Sequence, residues 1–157
     1  MANTKAAKHK AIIHWEREPD GEESYRWTFD NGVVIHNAHH ATLAQQGMID
    51  PESAFIASVA SCHMLSFLAQ AVKRGFVVKR YLDEAFGVLE VNDDNRIAIT
   101  RVLLRPEIEF SGNSQPDEEQ IRELHQVTSQ HCFIANSIKT VVHVEPVLNL
   151  VEQGQFD

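Results

Sequence analysis

The sequence predicts an α+β fold in which antiparallel sheets wrap around one long, buried central helix. Three observations predict it. Segments on both sides of the chain's middle alternate apolar and polar residues with period two, as half-buried strands do. Between them, residues 51–74 form a mostly apolar run with no breaker and a helix signal at each end. The elements also come in the order strands, long helix, strands, helix, strand, and such blocks are the pattern of an α+β chain. No internal repeat and no Pro/Gly/Ser linker interrupts the 157 residues, so a single domain over 1–157 is expected.

The first strands are expected at Ala11 to Trp15 and Tyr25 to Phe29. In the second, Tyr25, Trp27 and Phe29 alternate with Arg26 and Thr28. Glu18-Pro19-Asp20-Gly21 marks the turn between them. Asp30-Asn31-Gly32 is a second hairpin signal, and Gly32 to Ile35 completes the set as a third strand.

The long helix has its stop and start written in. Asp50 is a good N-cap, Pro51 suits the first helical position and Glu52 favours the positive end of the dipole. Lys73 and Arg74 fall in the last turn, and Gly75 ends it. The helix is apolar on nearly every side, with Phe55, Val59, Leu65, Phe67 and Leu68 among its residues, so it should be buried on nearly every side. A second subunit is the natural cover for one face. Its Ser, His and Gln content argues against a membrane span.

Strand-like segments follow at Tyr81 to Val91 and Arg96 to Leu104, paired antiparallel through Asn92-Asp93-Asp94-Asn95. Pro106 predicts an edge or bulge before Glu107 to Phe110, and Ser111 to Ser114 reads as a loop. Pro116 opens a second helix, with Asp117, Glu118 and Glu119 in its first turn and Ile121, Leu124 and Val127 at helical spacing. A short helical stretch is expected from Cys132 to about Ser137, and a last strand from Thr140 to Glu145.

Charge narrows the function. The chain has 22 acidic and 14 basic residues, a net charge of −8. Nucleic acid and anionic membrane surfaces reward clustered Lys and Arg, so neither is an expected partner. The N-terminal residues carry no apolar signal region, and a cytoplasmic location is expected. Two cysteines are too few for a disulfide scaffold; in a cytosolic chain such a pair is redox-active, metal-binding or structural. Cys62 lies in mid-helix, where the dipole gives a thiol nothing, so it needs a cation or base brought by the fold to act as a nucleophile. Cys132 precedes a short helix whose N-terminus would lower its pKa. The two lie 70 residues apart, so any contact between them is tertiary.

Asp50-Pro51-Glu52 followed by Phe55-Ile56-Ala57-Ser58-Val59-Ala60-Ser61-Cys62-His63-Met64 resembles the first signature of the OsmC/Ohr family, an N-P-E-type start leading into an Ala-rich helix with a cysteine. His131-Cys132-Phe133-Ile134-Ala135-Asn136-Ser137 is similar to the family's second cysteine motif. The resemblance runs from about Ala11 to Pro146. It implies an intertwined homodimer and no cofactor. It implies a peroxidase reducing organic hydroperoxides, with Cys62 peroxidatic, Cys132 resolving through a Cys62–Cys132 disulfide, and a lipoyl-type dithiol as reductant. Glu52 and an arginine, Arg26 or Arg17, would complete the site. Phe133 replaces the usual proline, Ala135 stands where serine is common, and the N-terminal Gly-Arg motif is missing, so the chain reads as a divergent branch.

Two other readings stay open at this point. A non-catalytic, ligand-binding member of the fold would keep the pocket without thiol turnover. Nine histidines, with His63 beside Cys62, His131 beside Cys132, and His36, His39 and His40 together, suggest a Cys/His metal site, although none has the spacing of a preorganised clip.

Overall fold

The computed structural model of the chain describes residues 7–17, 19–21, 23–36 and 48–148. They fall in two compact units, divided after Ala54. His39 and His40 lie outside the described residues.

The first unit is a meander of β1 (Ala11–Arg17), β2 (Glu23–Phe29) and β3 (Val34–His36), all antiparallel. Trp27 donates from Nε1 to the Tyr25 hydroxyl at 3.0 Å, so the alternating aromatics do share a face. Arg26 sits mid-strand on β2, with His14 and His36 as its backbone neighbours in register. Gly32 adopts φ +83°, which a side chain would oppose, and its N–H bonds the Phe29 carbonyl to close the second turn.

Helix α1 runs from Pro51 to Lys73. Asp50 caps it by accepting from the Ser53 N–H at 2.8 Å and the Ser53 hydroxyl at 2.7 Å. Those donors hold the Asp50 carboxyl below its ordinary pKa. At the far end Gly75 takes φ +79°, and the Phe76 N–H returns to the Ala71 carbonyl. By length and composition alone α1 is apolar enough to cross a bilayer. Within the chain it buries a single stripe, Val59, His63, Phe67 and Ala71, spaced one turn apart. Burial on nearly every side is therefore not met by this chain alone: Leu65 is 62% exposed and Val72 73%.

The second unit pairs β4 (Val77–Asp83) with β7 (Pro106–Ser111), and β5 (Phe86–Val91) with β6 (Ile97–Leu104) and β8 (Val141–Val144). The expected single strand from Tyr81 to Val91 is thus two strands in two sheets, and the first begins earlier, at Val77. Its end is tied down by the Asp83 carboxylate, which accepts from the Arg105 N–H at 2.7 Å. Sequence alternation does not register a change of sheet. The last strand also departs from an all-antiparallel plan, since β8 runs parallel to β6 with Arg101 opposite Val141. Helix α2 spans Glu118–His131 and is capped by Asp117 in a reciprocal box with Gln120, so Pro116 precedes the cap rather than opening the helix. A 3₁₀ turn, Ala135–Ser137, follows.

Two apolar clusters form the core of this unit. Phe67, Ala71, Phe76 and Leu124 pack with Tyr81, Ile108 and Phe110. Val59, Val102 and Leu104 pack with Ile99, Ile134 and Val142. His63 stands on the α1 stripe between the residues that serve each cluster, Val59 and Phe67.

Candidate active site

The fold brings the two cysteines together. Cys62 projects from the middle of α1, half-buried; Cys132 terminates α2 as its C-cap and is 1% exposed. Both are free thiols, close enough for the Cys62 sulfur to raise the pKa of Cys132. Burial, and next the adjoining Cys62 sulfur, push the Cys132 thiol up to about 11, against the Ala135 N–H that points at it. Cys132 therefore stays protonated at neutral pH. The net shift is opposite to the expected one: the Ala135 and Ile134 N–H groups at the start of the following turn do lower the Cys132 pKa, but burial and the Cys62 sulfur outweigh them.

The strand-bound turn after Cys132 supplies backbone donors to both sulfurs. The Ile134 N–H points at Cys62 Sγ and the Ala135 N–H at Cys132 Sγ, each at 3.5 Å. Amide donors favour the charged form of the group they face. Side chains fix the turn: the Ser137 hydroxyl donates to the Phe133 carbonyl at 2.7 Å, and Asn136 Nδ2 to the Gln130 carbonyl at 3.1 Å. These residues lie in the second motif. Its backbone role is invisible in the sequence, because any residue but proline carries an N–H.

Cys62 opens on a pocket of about 550 Å³ lined by Leu65, Ala69, Phe133, His131 and the serines Ser58, Ser61 and Ser66. Its walls are mainly apolar, and Phe133, 80% exposed, stands at its edge. His131 donates from Nδ1 to the Val127 carbonyl at 2.8 Å, which fixes its ring. A cavity of about 600 Å³ between β7 and the start of α2 lies away from the thiols. Cys132 also lines a smaller pocket of about 220 Å³, together with Val59, His63, Ser129, Asn136 and Thr140 among others.

His63 does not join Cys62 as a ligand pair. It turns into the core, where its Nε2 meets His125 Nδ1 at 3.0 Å. Burial lowers the pKa of His63 to about 4; burial and then His63 itself lower that of His125 to about 3. Both are neutral at pH 7. Sequence reasoning singled out His63 for its neighbour and missed His125, whose only signal was its place on the apolar face of α2 beside Leu124. Among the described residues no group of three His, Cys, Asp or Glu is assembled to hold a metal.

The other two expected site residues, Glu52 and Arg26, belong to the first unit, as does Arg17. Glu52 is in the first turn of α1, ten residues and about 15 Å of helix axis before Cys62. Arg17 lies with its guanidinium 5.4 Å from the centre of the Trp15 ring.

The chain is thus an α+β protein with two neighbouring thiols between its long helix and the turn after α2, beside an apolar pocket. The sequence matches the OsmC-like protein family over residues 44–147, and the chain belongs to that family. An OsmC-like protein of unknown function from Vibrio cholerae is 35% identical, with a TM-score of 0.85 over 90% of this chain and all of that one. An OsmC-like protein from Mycoplasma pneumoniae shares the fold at 18% identity and TM-score 0.70, covering 92% of this chain and 98% of the other. So does the organic hydroperoxide resistance protein OhrB of Bacillus subtilis, at 20% identity and TM-score 0.65, over 89% and 96%. No curated protein matches the chain.

Proposed function

We propose that this protein is a cysteine-based peroxidase that reduces organic hydroperoxides to alcohols. The observation that carries the reading is the pair of neighbouring free thiols at the edge of an apolar pocket. Cys62 is the peroxidatic residue, because it is the thiol that opens on the pocket and has a backbone N–H aimed at its sulfur. Its thiolate attacks a peroxide oxygen, an alcohol leaves, and Cys62 becomes a sulfenic acid. Cys132, buried and protonated, then displaces the hydroxyl as water and closes the Cys62–Cys132 disulfide. A dithiol of the lipoyl type returns both thiols by exchange.

Glu52 and Arg26 complete the site in this reading. Ten residues of helix separate Glu52 from Cys62, so in this reading Glu52 acts across a homodimer interface and Arg26 supplies the cation for the thiolate. The bare apolar face of α1 at Leu65 and Val72 is the surface a second copy covers. The working location is the cytoplasm, where a reducing pool keeps the thiols ready.

The test is an NADH-coupled lipoyl-reductant assay on hydrogen peroxide and a homologous alkyl hydroperoxide series. Burial of each methylene is worth about 0.8 kcal/mol, so each should raise kcat/KM by up to ~4-fold until the pocket is full. Equal efficiency on hydrogen peroxide and cumene hydroperoxide would remove the role of the pocket.

A further inference from the structure

We propose that His63 and His125 are positioning residues that hold Cys132 in bonding reach of Cys62, so that disulfide closure depends on one buried hydrogen bond between α1 and α2. The proposal rests on the reading of Cys62 and Cys132 as a disulfide-forming pair.

The placement carries it. His63 is the residue after Cys62 on α1. His125 is seven residues before Cys132 on α2, two turns along the same helix face. A bond of 3.0 Å between the two rings therefore fixes the rotation and height of α2 against α1 close to both sulfurs. The rings are nearly parallel, 9° apart, and Phe67 packs on His125 with centroids 4.5 Å apart.

Cys132 is buried, but protein does not enclose it on every side, since a pocket of about 220 Å³ borders it. Among the described residues, the other side-chain links between α1 and α2 are exposed: the Ser66 hydroxyl donates to the His131 carbonyl at 3.4 Å, and the Arg74 guanidinium to the Glu123 carboxylate at 3.2 Å. Nor does stability account for two buried imidazoles. They are 2% and 4% exposed, and among the described residues His125 Nε2 is buried with no partner. An apolar pair of similar volume fills such a site with no polar group to satisfy. What it lacks is direction, since apolar surfaces slide and a hydrogen bond does not.

The experiment is a thiol–disulfide titration in glutathione buffers, which needs no peroxide. Glutathione disulfide is reduced to two glutathiones as the Cys62 and Cys132 S–H bonds give way to one S–S bond. The closed fraction is read by mass spectrometry. In the double variant His63→Leu/His125→Leu the equilibrium constant for closure should fall about tenfold, the worth of one buried hydrogen bond. Thermal unfolding should show the fold retained. His125→Gln keeps a polar partner for His63 and should close better than His125→Leu; this pair of single variants decides the matter if the double variant does not fold. Closure as complete in the folded double variant as in the wild type would overturn the proposal. Equal losses in His125→Gln and His125→Leu would do the same. A wild type that never closes the disulfide, even in excess glutathione disulfide, would instead bring down the thiol-pair reading on which this rests.

Discussion

At the scale of single residues, the two cysteines differ in exposure, and that difference underlies the roles proposed for them. Cys62 opens on a pocket; Cys132 is sealed and kept protonated by burial. In a single turnover, Cys62→Ser should consume no hydroperoxide. Cys132→Ser should consume one equivalent and stop as a sulfenic acid that dimedone traps on Cys62. Dimedone found on Cys132 instead would reverse the assignment. Phe133 is the second residue of interest. It stands almost bare at the pocket edge, in the place where the related motif has proline, so its ring is the chain's own addition to the pocket. Phe133→Ala should weaken the preference for long alkyl hydroperoxides and leave hydrogen peroxide reduction unaltered, as measured by kcat/KM across the series.

At the scale of elements, α1 is held against β5 and β6 with little room to spare. A Cβ added at Gly87 on β5 would lie 2.8 Å from Ile56 Cδ1 on α1 and 3.1 Å from Ile99 Cγ2 on β6. The Ile99 branch is stiff, so the strand or the helix has to shift. Gly87→Ala should cost about 1–3 kcal/mol of stability, measured by urea unfolding. A variant as stable as the wild type would mean that this contact is not close-packed. The α2 cap has a smaller and more local effect. Asp117→Ala removes the acceptor of the Gln120 N–H and should cost about 1 kcal/mol.

At the scale of the whole molecule, the apolar face left on α1 and the buried histidines lead to separate expectations. A helix with Leu65 and Val72 mostly exposed has surface to offer a second copy, and light scattering at micromolar concentration should give the mass of a dimer. A monodisperse monomer would end that expectation. Acid should weaken the fold through His63 and His125. Their pKa values are depressed in the folded state, to about 4 and about 3, below the ordinary value of 6.5 that they regain on unfolding. Unfolding therefore takes up protons below pH 6.5. The pair's contribution is fully present above that pH and is lost as the pH falls toward 4. The loss is up to about 1.4 kcal/mol per pH unit for each histidine. Urea unfolding at pH 7, 6 and 5 should show this slope, and His63→Leu/His125→Leu should flatten it.

Much of this was legible in the chain itself, because local signals have local causes. Asp50, Pro51 and Gly75 bound α1 because caps and positive-φ glycines act within a turn, and the Asn92 to Asn95 hairpin follows from its turn residues. The two cysteine motifs led to the family, which the matched residues and the solved relatives establish. Tertiary structure alone decided the rest. Period-two alternation is the same in either sheet, so it hid the break between β4 and β5 and the parallel pairing of β8. The charge state of Cys132 depends on what surrounds it, and burial beside Cys62 outweighed the lowering expected from the residues that follow it. His63 reads as a neighbour of Cys62 in sequence and is a partner of His125 in space. Chain order specifies which groups are adjacent along a helix, but contacts across 62 residues exist only once two helices have packed.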